Sequence, residues 1–244
     1  KNEVVINSIP IKTPSTEQKN IVFTSMWDNY PDSVEIPLSG KGKKIYFIST
    51  EASPLERNLY VINMDGKGKK ILTAEKGTHS VNMSKDFKYF IGYHSNANSP
   101  SKVTLNQASG KQLQVLENNQ ELRDRLKNFA ISEKEFFDFQ TVEGTSLNAY
   151  MIKPSDFDPS KKYPVLMYVY GGPGSQNVTN SWGGTRDFWH HHLATEGYIV
   201  VCVDNRGTGA RGRDFKHSTY ANLGKIEVED QIAGAKYLGT LPYI

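Results

Sequence analysis

The sequence predicts a chain in two parts, a β-rich part built from antiparallel hairpins and then a part with a mainly parallel sheet and helices on both faces. Three observations predict this arrangement. Short β-rich runs separated by polar turns fill the first half. Near Tyr163 the pattern changes to a continuous apolar run that ends in a glycine-rich loop. From there strand-like and helix-like segments alternate, which is typical of an α/β fold.

Composition excludes several classes of function. The 244 residues include 29 Lys and Arg and 26 Asp and Glu, a net charge of +3, and like charges form no block. Nucleic-acid binding is therefore not expected. The lysines at residues 41–44 and 67–70 lie in Gly-Lys-Gly-Lys-Lys repeats, which predict solvated hairpin turns. No stretch is long enough to predict a membrane span. The single cysteine, Cys202, excludes an internal disulfide, and its apolar surroundings predict a small buried side chain.

The β-rich part is predicted over residues 1–110. Its strand-like runs are residues 44–48, 58–62, 88–91 and 102–105. The Gly-Lys-Gly-Lys-Lys-Ile sequence that begins at Gly66 recurs in a weaker form at Gly110. This separation is near the period of roughly 40 to 50 residues that is typical of a propeller blade. This spacing suggests blades of a β-propeller. Residues 1–35 match no such pattern, and their prolines and polar side chains suit a linker or irregular strands.

The second part is predicted over residues 111–244. A short amphipathic helix is expected at residues 118–128, because Leu122 and Leu126 stand four apart among charged residues. The strands expected next are residues 136–139, 147–152, 164–170 and 199–203. The further helices are residues 188–196 and 226–238, the latter with one apolar stripe of Val228, Ile232, Ala235 and Leu238. The unbroken apolar run at 164–170 predicts a strand buried on both faces.

Two glycine-rich loops follow the buried strands, at residues 170–176 and 204–209. In open α/β sheets the active crevice lies beyond the carboxyl ends of the strands, so both loops are candidates for a site. Neither has the spacing of a phosphate-binding loop. An aromatic residue before a glycine-rich turn suits donation to an oxyanion, which makes Tyr170 the candidate catalytic residue. Its position equally fits an exposed aromatic with its hydroxyl in water.

Three motifs in order carry a resemblance to a known family. They are Tyr-Pro-Val-Leu-Met-Tyr-Val-Tyr-Gly-Gly-Pro-Gly-Ser-Gln at 163–176, Asp-Asn-Arg-Gly-Thr-Gly at 204–209, and Leu-Gly at 223–224 followed by Glu-Val-Glu-Asp-Gln at 227–231. Together they resemble the dipeptidyl peptidase IV family, prolyl-oligopeptidase-like serine peptidases of the α/β-hydrolase superfamily. Earlier stretches are similar to the family's last propeller blades, so the resemblance implies that residues 1–110 are the C-terminal part of a β-propeller.

The resemblance implies a fold, a chemistry and partners. Residues 111–244 would begin an α/β-hydrolase catalytic domain, with Tyr170 as the oxyanion tyrosine. The activity implied is release of N-terminal Xaa-Pro or Xaa-Ala dipeptides from peptide substrates, without a cofactor or metal. A homodimer and a periplasmic or extracellular location are also implied by members of the family.

The chain departs from the family in what it lacks. No Gly-x-Ser-x-Gly occurs in the sequence, and the family's nucleophile segment is expected to follow Ile244. Because Ser, Asp and His come in that order in this fold, all three are expected beyond the end, and the chain alone is expected to be inactive. The glutamates that bind the substrate amine in the family are also missing. The chain is therefore interpreted as a fragment of the peptidase.

Other interpretations stay open. One is a non-catalytic β-propeller interaction protein with a degenerate hydrolase half, and another is an acylaminoacyl peptidase or oligopeptidase of the same superfamily. A metal site at residues 190–192 is not expected, because consecutive helical residues point about 100° apart. The acidic residues Glu227, Glu229 and Asp230 are expected to stabilise the start of a helix.

Overall fold

The computed structural model describes residues 33–35 and 44–244. Two sequence predictions lie wholly or mostly outside the described residues. They are the linker or irregular strands over residues 1–35, of which only 33–35 are described, and the lysine-rich turn at residues 41–43. Within the described part, no helix is both long and apolar enough to cross a membrane.

The first sheet is antiparallel and has the strand order β1-β2-β3-β4. Its strands are β1 (Ser33–Glu35), β2 (Lys44–Ser49), β3 (Asn58–Asn63) and β4 (Lys70–Ile71). The lysines at residues 67–69 lie in the turn between β3 and β4, as predicted. Gly66 and Gly68 have φ angles of 79° and 67° in this turn, a region that glycine adopts without strain.

The second sheet is also antiparallel, in the order β5-β6-β7-β8. Its strands are β5 (Thr78–Met83), β6 (Tyr89–Asn96), β7 (Ser99–Gln107) and β8 (Gln112–Glu117). Gly110, near which the sequence analysis divides the chain, lies in the turn between β7 and β8. A shared core joins the two sheets, formed by Tyr46, Ile48, Leu59, Val61 and Phe90. Neither sheet closes into a barrel over the residues described.

The third sheet has the order β11-β12-β10-β9 and carries both glycine-rich loops. Its strands are β9 (Lys134–Gln140), β10 (Ser146–Ile152), β11 (Val165–Tyr168) and β12 (Ile199–Val203). The helices are α1 (Gln120–Leu126) before the sheet, α2 (Thr185–Thr195) between β11 and β12, and α3 (Arg213–His217) and α4 (Lys225–Leu238) after β12. The predicted strands and the helices α1, α2 and α4 are confirmed, whereas α3 was not predicted.

Two expectations about this sheet are wrong. Among its described pairings β11–β12 is parallel, but β9–β10 and β10–β12 are antiparallel, so the sheet is mixed. The strand β11 lies at the edge, and its four residues are only half-buried. By contrast β12 lies between two strands and is buried throughout. An apolar run therefore indicates a strand but does not reveal the strand's place in the sheet.

Helices cover both faces of this sheet, as predicted. Successive side chains of β12 point to opposite faces. On one face Val201 packs in a core with Leu238 of α4. On the other face Cys202 packs with Ala194 of α2. Cys202 is thus the buried apolar side chain that was expected, and burial raises the pKa of its thiol to about 12.

Candidate active site

Tyr170 stands two residues beyond the end of β11, at the carboxyl end of that strand. Its side chain is 67% exposed, and its hydroxyl has no hydrogen-bond partner among the described residues. Gly171 has a φ of 69°, so the chain turns sharply after the tyrosine. A Cβ at Gly172 would lie 2.7 Å from Cε1 of Tyr170, so the ring needs glycine there. The two glycines therefore hold the phenol at the surface with its donor available.

A cleft of about 610 Å³ opens beside Tyr170. Met167, Val169 and the loop 170–173 line one side, and Leu223 and residues of α4 line the other. Within the predicted apolar stripe of α4, Leu238 is buried, whereas Val228 and Ile232 are 54% and 49% exposed. These two side chains line the cleft instead of a core. The part of the stripe that lies outside the core thus forms an apolar wall of the candidate site.

Asn205 fixes the loop that carries Tyr170. It is fully buried, and its Nδ2 donates to the carbonyl of Gly171 at 3.2 Å and to that of Arg206 at 2.7 Å. Its Oδ1 accepts from Nε2 of Gln231 in α4 at 3.1 Å. The amide therefore connects the turn after Tyr170, the second loop and α4. Asn205 and Gln231 lie in the motifs at 204–209 and 227–231, but no role is predicted for either residue from the sequence.

Main-chain hydrogen bonds also join the two glycine-rich loops. The N–H of Gly174 donates to the carbonyl of Gly207, and the N–H of Gly209 donates to that of Ser175, both at 2.8 Å. A Cβ at Gly207 would lie 2.8 Å from the side chain of Thr219. Glycine is thus required at residue 207 by both close packing and its φ of 95°. Two main-chain hydrogen bonds therefore connect the loop that carries Tyr170 to the second loop.

A buried acid, Asp204, begins the second loop. Its carboxylate accepts hydrogen bonds from the main-chain N–H groups of Asn177 at 3.0 Å and Val178 at 2.9 Å. Burial raises the pKa of this carboxyl above its ordinary value, while the two N–H groups oppose that shift. Asp204 therefore holds the segment that follows the Tyr170 loop.

The acidic residues at the start of α4 have two different roles. Oε2 of Glu227 accepts from the N–H of Gly224 at 2.9 Å, so the expected stabilisation of the helix start is confirmed there. For Asp230 that interpretation is wrong. Its carboxylate is fully buried and accepts from both the main-chain N–H and Nη2 of Arg206, each at 2.7 Å. Arg206 also contacts Glu143 at 3.0 Å, so this cluster ties α4 to the second loop.

The three consecutive histidines of α2 diverge. His190 and His191 are buried and His192 is exposed. The Tyr150 hydroxyl lies 3.4 Å from Nδ1 of His190. Burial lowers the pKa of both buried imidazoles below the ordinary value. In the part of the chain that the structure describes, no three His, Cys, Asp or Glu side chains are placed to hold a metal ion.

The segment after Tyr170 is hydrogen-bonded to the loop between β2 and β3 of the first sheet. Nη2 of Arg57 donates to Oε1 of Gln176 at 2.6 Å, and Nε2 of Gln176 donates to the carbonyl of Pro54 at 2.7 Å. A little further on, the N–H of Asn180 donates to the carbonyl of Leu55 at 2.7 Å. The candidate site therefore lies beside the boundary between the β-rich part and the mixed sheet.

The chemistry available at this site is hydrogen-bond donation. An exposed phenol held rigidly at a strand end can donate to an oxygen that gains negative charge. The sequence contains no Gly-x-Ser-x-Gly in which a serine nucleophile would stand beside it. The residues at this site thus offer a hydrogen-bond donor, and the sequence has no nucleophile in that motif.

Comparisons with known proteins match both parts of the chain. Residues 32–101 match the family described as "Dipeptidyl peptidase IV (DPP IV) N-terminal region". Residues 186–244 match the "Prolyl oligopeptidase family". Tyr170 lies between the two matched segments.

Individual relatives match between 81% and 95% of the chain. Dipeptidyl peptidase 8 of Mus musculus is 34% identical over 204 residues, which are 81% of this chain and 23% of that protein. Probable dipeptidyl-aminopeptidase B of Botryotinia fuckeliana (strain B05.10) is 35% identical over 239 residues, 95% of this chain and 25% of that protein. The crystal structure of Porphyromonas gingivalis dipeptidyl peptidase 4 is similar with a TM-score of 0.83 and 38% identity, over 93% of this chain and 31% of that one. The chain thus spans about a quarter of the length of these curated relatives.

Proposed function

We propose that this chain, which belongs to the dipeptidyl peptidase IV type of the prolyl oligopeptidase family, supplies the oxyanion-binding side of a serine peptidase active site. The observation that carries the proposal is the position of Tyr170. Its exposed phenol stands at the mouth of the cleft, beyond the end of β11. Two glycines and the buried Asn205 fix the turn that follows it.

The proposed mechanism is acyl transfer to a serine. The serine oxygen bonds to the carbonyl carbon of the scissile peptide, and its proton passes to a histidine that an aspartate orients. The carbonyl oxygen becomes an oxyanion, which accepts a hydrogen bond from the Tyr170 hydroxyl and another from a main-chain N–H. The histidine then gives its proton to the leaving amine, and water hydrolyses the acyl-enzyme. The serine, histidine and aspartate are expectations from the family, and Tyr170 is the contribution of this chain.

The proposed substrates are peptides that lose an N-terminal Xaa-Pro or Xaa-Ala dipeptide. The printed names of the relatives, dipeptidyl peptidase and dipeptidyl-aminopeptidase, support this class. We assign the two antiparallel sheets to the last blades of a propeller, in line with the match of residues 32–101. The division between the two parts is best placed after β8, because Gln112–Glu117 pair with β7. A homodimer stays a prediction from the family.

The test compares the 244-residue chain with a version extended at both ends by the family's remaining regions, which carry the serine, the aspartate and the histidine and the glutamates that bind the substrate amine. Both are incubated with Gly-Pro-p-nitroanilide and with a fluorophosphonate that labels active serines. We expect turnover and labelling of the extended protein and neither for the shorter chain, because a donor without a nucleophile offers no covalent route. Fluorophosphonate-sensitive turnover by the 244 residues would contradict the proposal. An extended protein that neither labels nor hydrolyses would favour the non-catalytic interaction protein.

A further inference from the structure

A second cavity, of about 460 Å³, lies between the two parts of the chain. It is lined by α1, by the turn between β6 and β7, by the segment that leads into β9, and by the residues Trp182 and His191. It shares no lining residue with the cleft at Tyr170. The peptidase mechanism above therefore does not use it.

Arg123 places a guanidinium at this cavity. Its Nε donates to the carbonyl of Asn118 at 2.7 Å, its Nη2 to the carbonyl of Pro100 at 2.6 Å, and its Nη1 to Oγ of Ser99. All three acceptors are uncharged. A guanidinium has five N–H groups, so two donors remain after these three bonds.

The positive charge of Arg123 has no acidic partner in the residues that the structure describes. The acids on the same helix are engaged elsewhere: Asp124 pairs with Lys127, and Glu121 pairs with Arg125, both at 2.6 Å. Glu133 also lines the cavity but is exposed and forms no ion pair there. A half-buried guanidinium with two remaining donors is well suited to a carboxylate, which can accept both.

Two residues that line the same cavity each have a buried polar atom without a hydrogen-bond partner. His191 is only 6% exposed, and its Nδ1 has no hydrogen-bond partner. The Oγ of Ser132 is likewise buried and unpartnered. Burial lowers the pKa of His191, so its ring is neutral near pH 7 and offers one donor and one acceptor. Buried polar atoms are rarely left unpaired, so these two indicate a polar group that the cavity receives.

Part of the remaining wall is apolar and is formed by Leu126, Phe129, Ile131 and Trp182. Asn98, Gln120 and Lys127 also line the cavity, and Lys127 is paired with Asp124. Phe129 is 66% exposed, so its ring is accessible from the cavity side. An apolar group of the ligand would cover it.

We infer that this cavity binds an N-acylated amino acid with an apolar side chain. The carboxylate accepts from the two remaining N–H groups of Arg123, and the amide pairs with Ser132 and His191. The apolar side chain packs against Phe129 and Trp182. This binding site is independent of the proposed peptidase function, because it shares no residue with the candidate catalytic cleft.

Calorimetric titration of the full chain tests the inference, with N-acetyl-L-phenylalanine as the probe and N-acetyl-L-phenylalaninamide as its neutral analogue. We expect one saturable site for the acid and binding roughly tenfold or more weaker for the amide, because the amide loses the charge-assisted hydrogen bonds. Absence of saturable binding of the acid, or equal binding of the amide, would overturn it.

Variants locate the site. Arg123→Gln is expected to raise the Kd for the acid roughly tenfold or more, whereas the matched control Arg125→Gln, exposed on the same helix, should leave it within about twofold. Because Arg123 also holds Ser99 and Pro100, the unfolding midpoint is measured alongside. Ser132→Ala removes only an unpartnered hydroxyl, so it should weaken binding of N-acetyl-L-phenylalanine without lowering the unfolding midpoint. Unchanged affinity in both Arg123→Gln and Ser132→Ala would overturn the assignment.

Discussion

At the scale of single residues, a stacked pair of histidines makes the stability of the folded chain depend on pH. The rings of His79 and His94 lie 4.4 Å apart, and Nε2 of His79 is 2.7 Å from the carbonyl of Glu75. The carboxylate of Glu75 also pairs with Lys102 at 2.8 Å. Burial lowers the pKa of His79 from 6.5 to about 4, while the Glu75 carbonyl opposes that shift and His94 adds to it.

This cluster predicts a loss of stability in mild acid. Between pH 6.5 and pH 4 the unfolded chain binds the proton of His79 and the folded chain does not, so stability falls as the pH is lowered through that window. From pH 7 to pH 5 the loss from His79 is on the order of 2 kcal/mol. Urea unfolding at the two pH values measures it. His79→Gln, which keeps a donor for the carbonyl, should reduce the loss, and the exposed control His217→Gln should not. An unchanged pH dependence in His79→Gln would refute this assignment.

The strand-end loop that carries Tyr170 could be predicted from the sequence, but the residues that hold this loop could not. Tyr170 stands before a glycine-rich turn after an apolar run, and this local pattern is enough to identify a strand-end loop. In the sequence Asn205 is indistinguishable from any polar residue of a turn. Its partners Gly171 and Gln231 lie 34 and 26 positions away, so its role becomes visible only in the folded chain. Long-range hydrogen bonds of this kind leave no periodic signal in a single sequence.

At the scale of elements, the ion pair between Arg206 and Asp230 holds α4 against the second glycine-rich loop. Asp230 is fully buried and Arg206 is mostly buried. Four contacts between them, including the main-chain N–H of Arg206, lie within 3.1 Å. Removal of one member leaves the other charge in a poorly solvated position.

Asp230→Ala is accordingly expected to lower the free energy of unfolding by about 3 kcal/mol. Glu143 still contacts Arg206, which keeps the loss at the lower end of the range for buried pairs. Glu229→Ala is the matched control, since Glu229 is exposed one position earlier on the same helix, and it should change stability by less than about 0.5 kcal/mol. Denaturant unfolding of both variants decides the matter, and equal effects would show that the ion pair contributes nothing specific.

Whether a segment is a helix or a strand could be predicted from the sequence for most elements. Which strands pair with each other could not. The strands of the mixed sheet and the helices α1, α2 and α4 follow from apolar periodicity, which is a local property. The antiparallel pairing of β10 with β12 and the edge position of β11 depend on which strands meet in space. The short α3 was missed because five residues are too few to show a helical period.

At the scale of the whole molecule, the cleft beside Tyr170 is also an exposed apolar surface. Val169, Leu223, Val228 and Ile232 are all about half exposed or more. They adjoin β11, which among the described strands pairs on one side only. An unpaired strand edge next to an apolar surface favours contact between copies of the chain.

The isolated 244-residue chain should therefore self-associate. Ile232→Lys places a charge in the exposed surface and is expected to shift the chain towards monomer. Leu122→Lys on α1, away from the cleft, serves as the control and should leave association unchanged. Sedimentation velocity over a range of concentrations measures the distribution. A wild-type chain that stays a single monomeric species would show that this surface does not drive association.

The central claim is that the Tyr170 hydroxyl stabilises an oxyanion, and the kcat of Tyr170→Phe in the extended protein tests it most directly. Phenylalanine keeps the ring and removes only the donor, so kcat on Gly-Pro-p-nitroanilide should fall roughly 10² to 10³-fold, equivalent to about 2.7 to 4 kcal/mol. KM should change little, because the bond forms mainly in the transition state. Tyr220→Phe, at an 84% exposed tyrosine, is the control and should leave kcat unchanged. A Tyr170→Phe kcat within about twofold of the parent would instead identify Tyr170 as a packing aromatic and contradict the account.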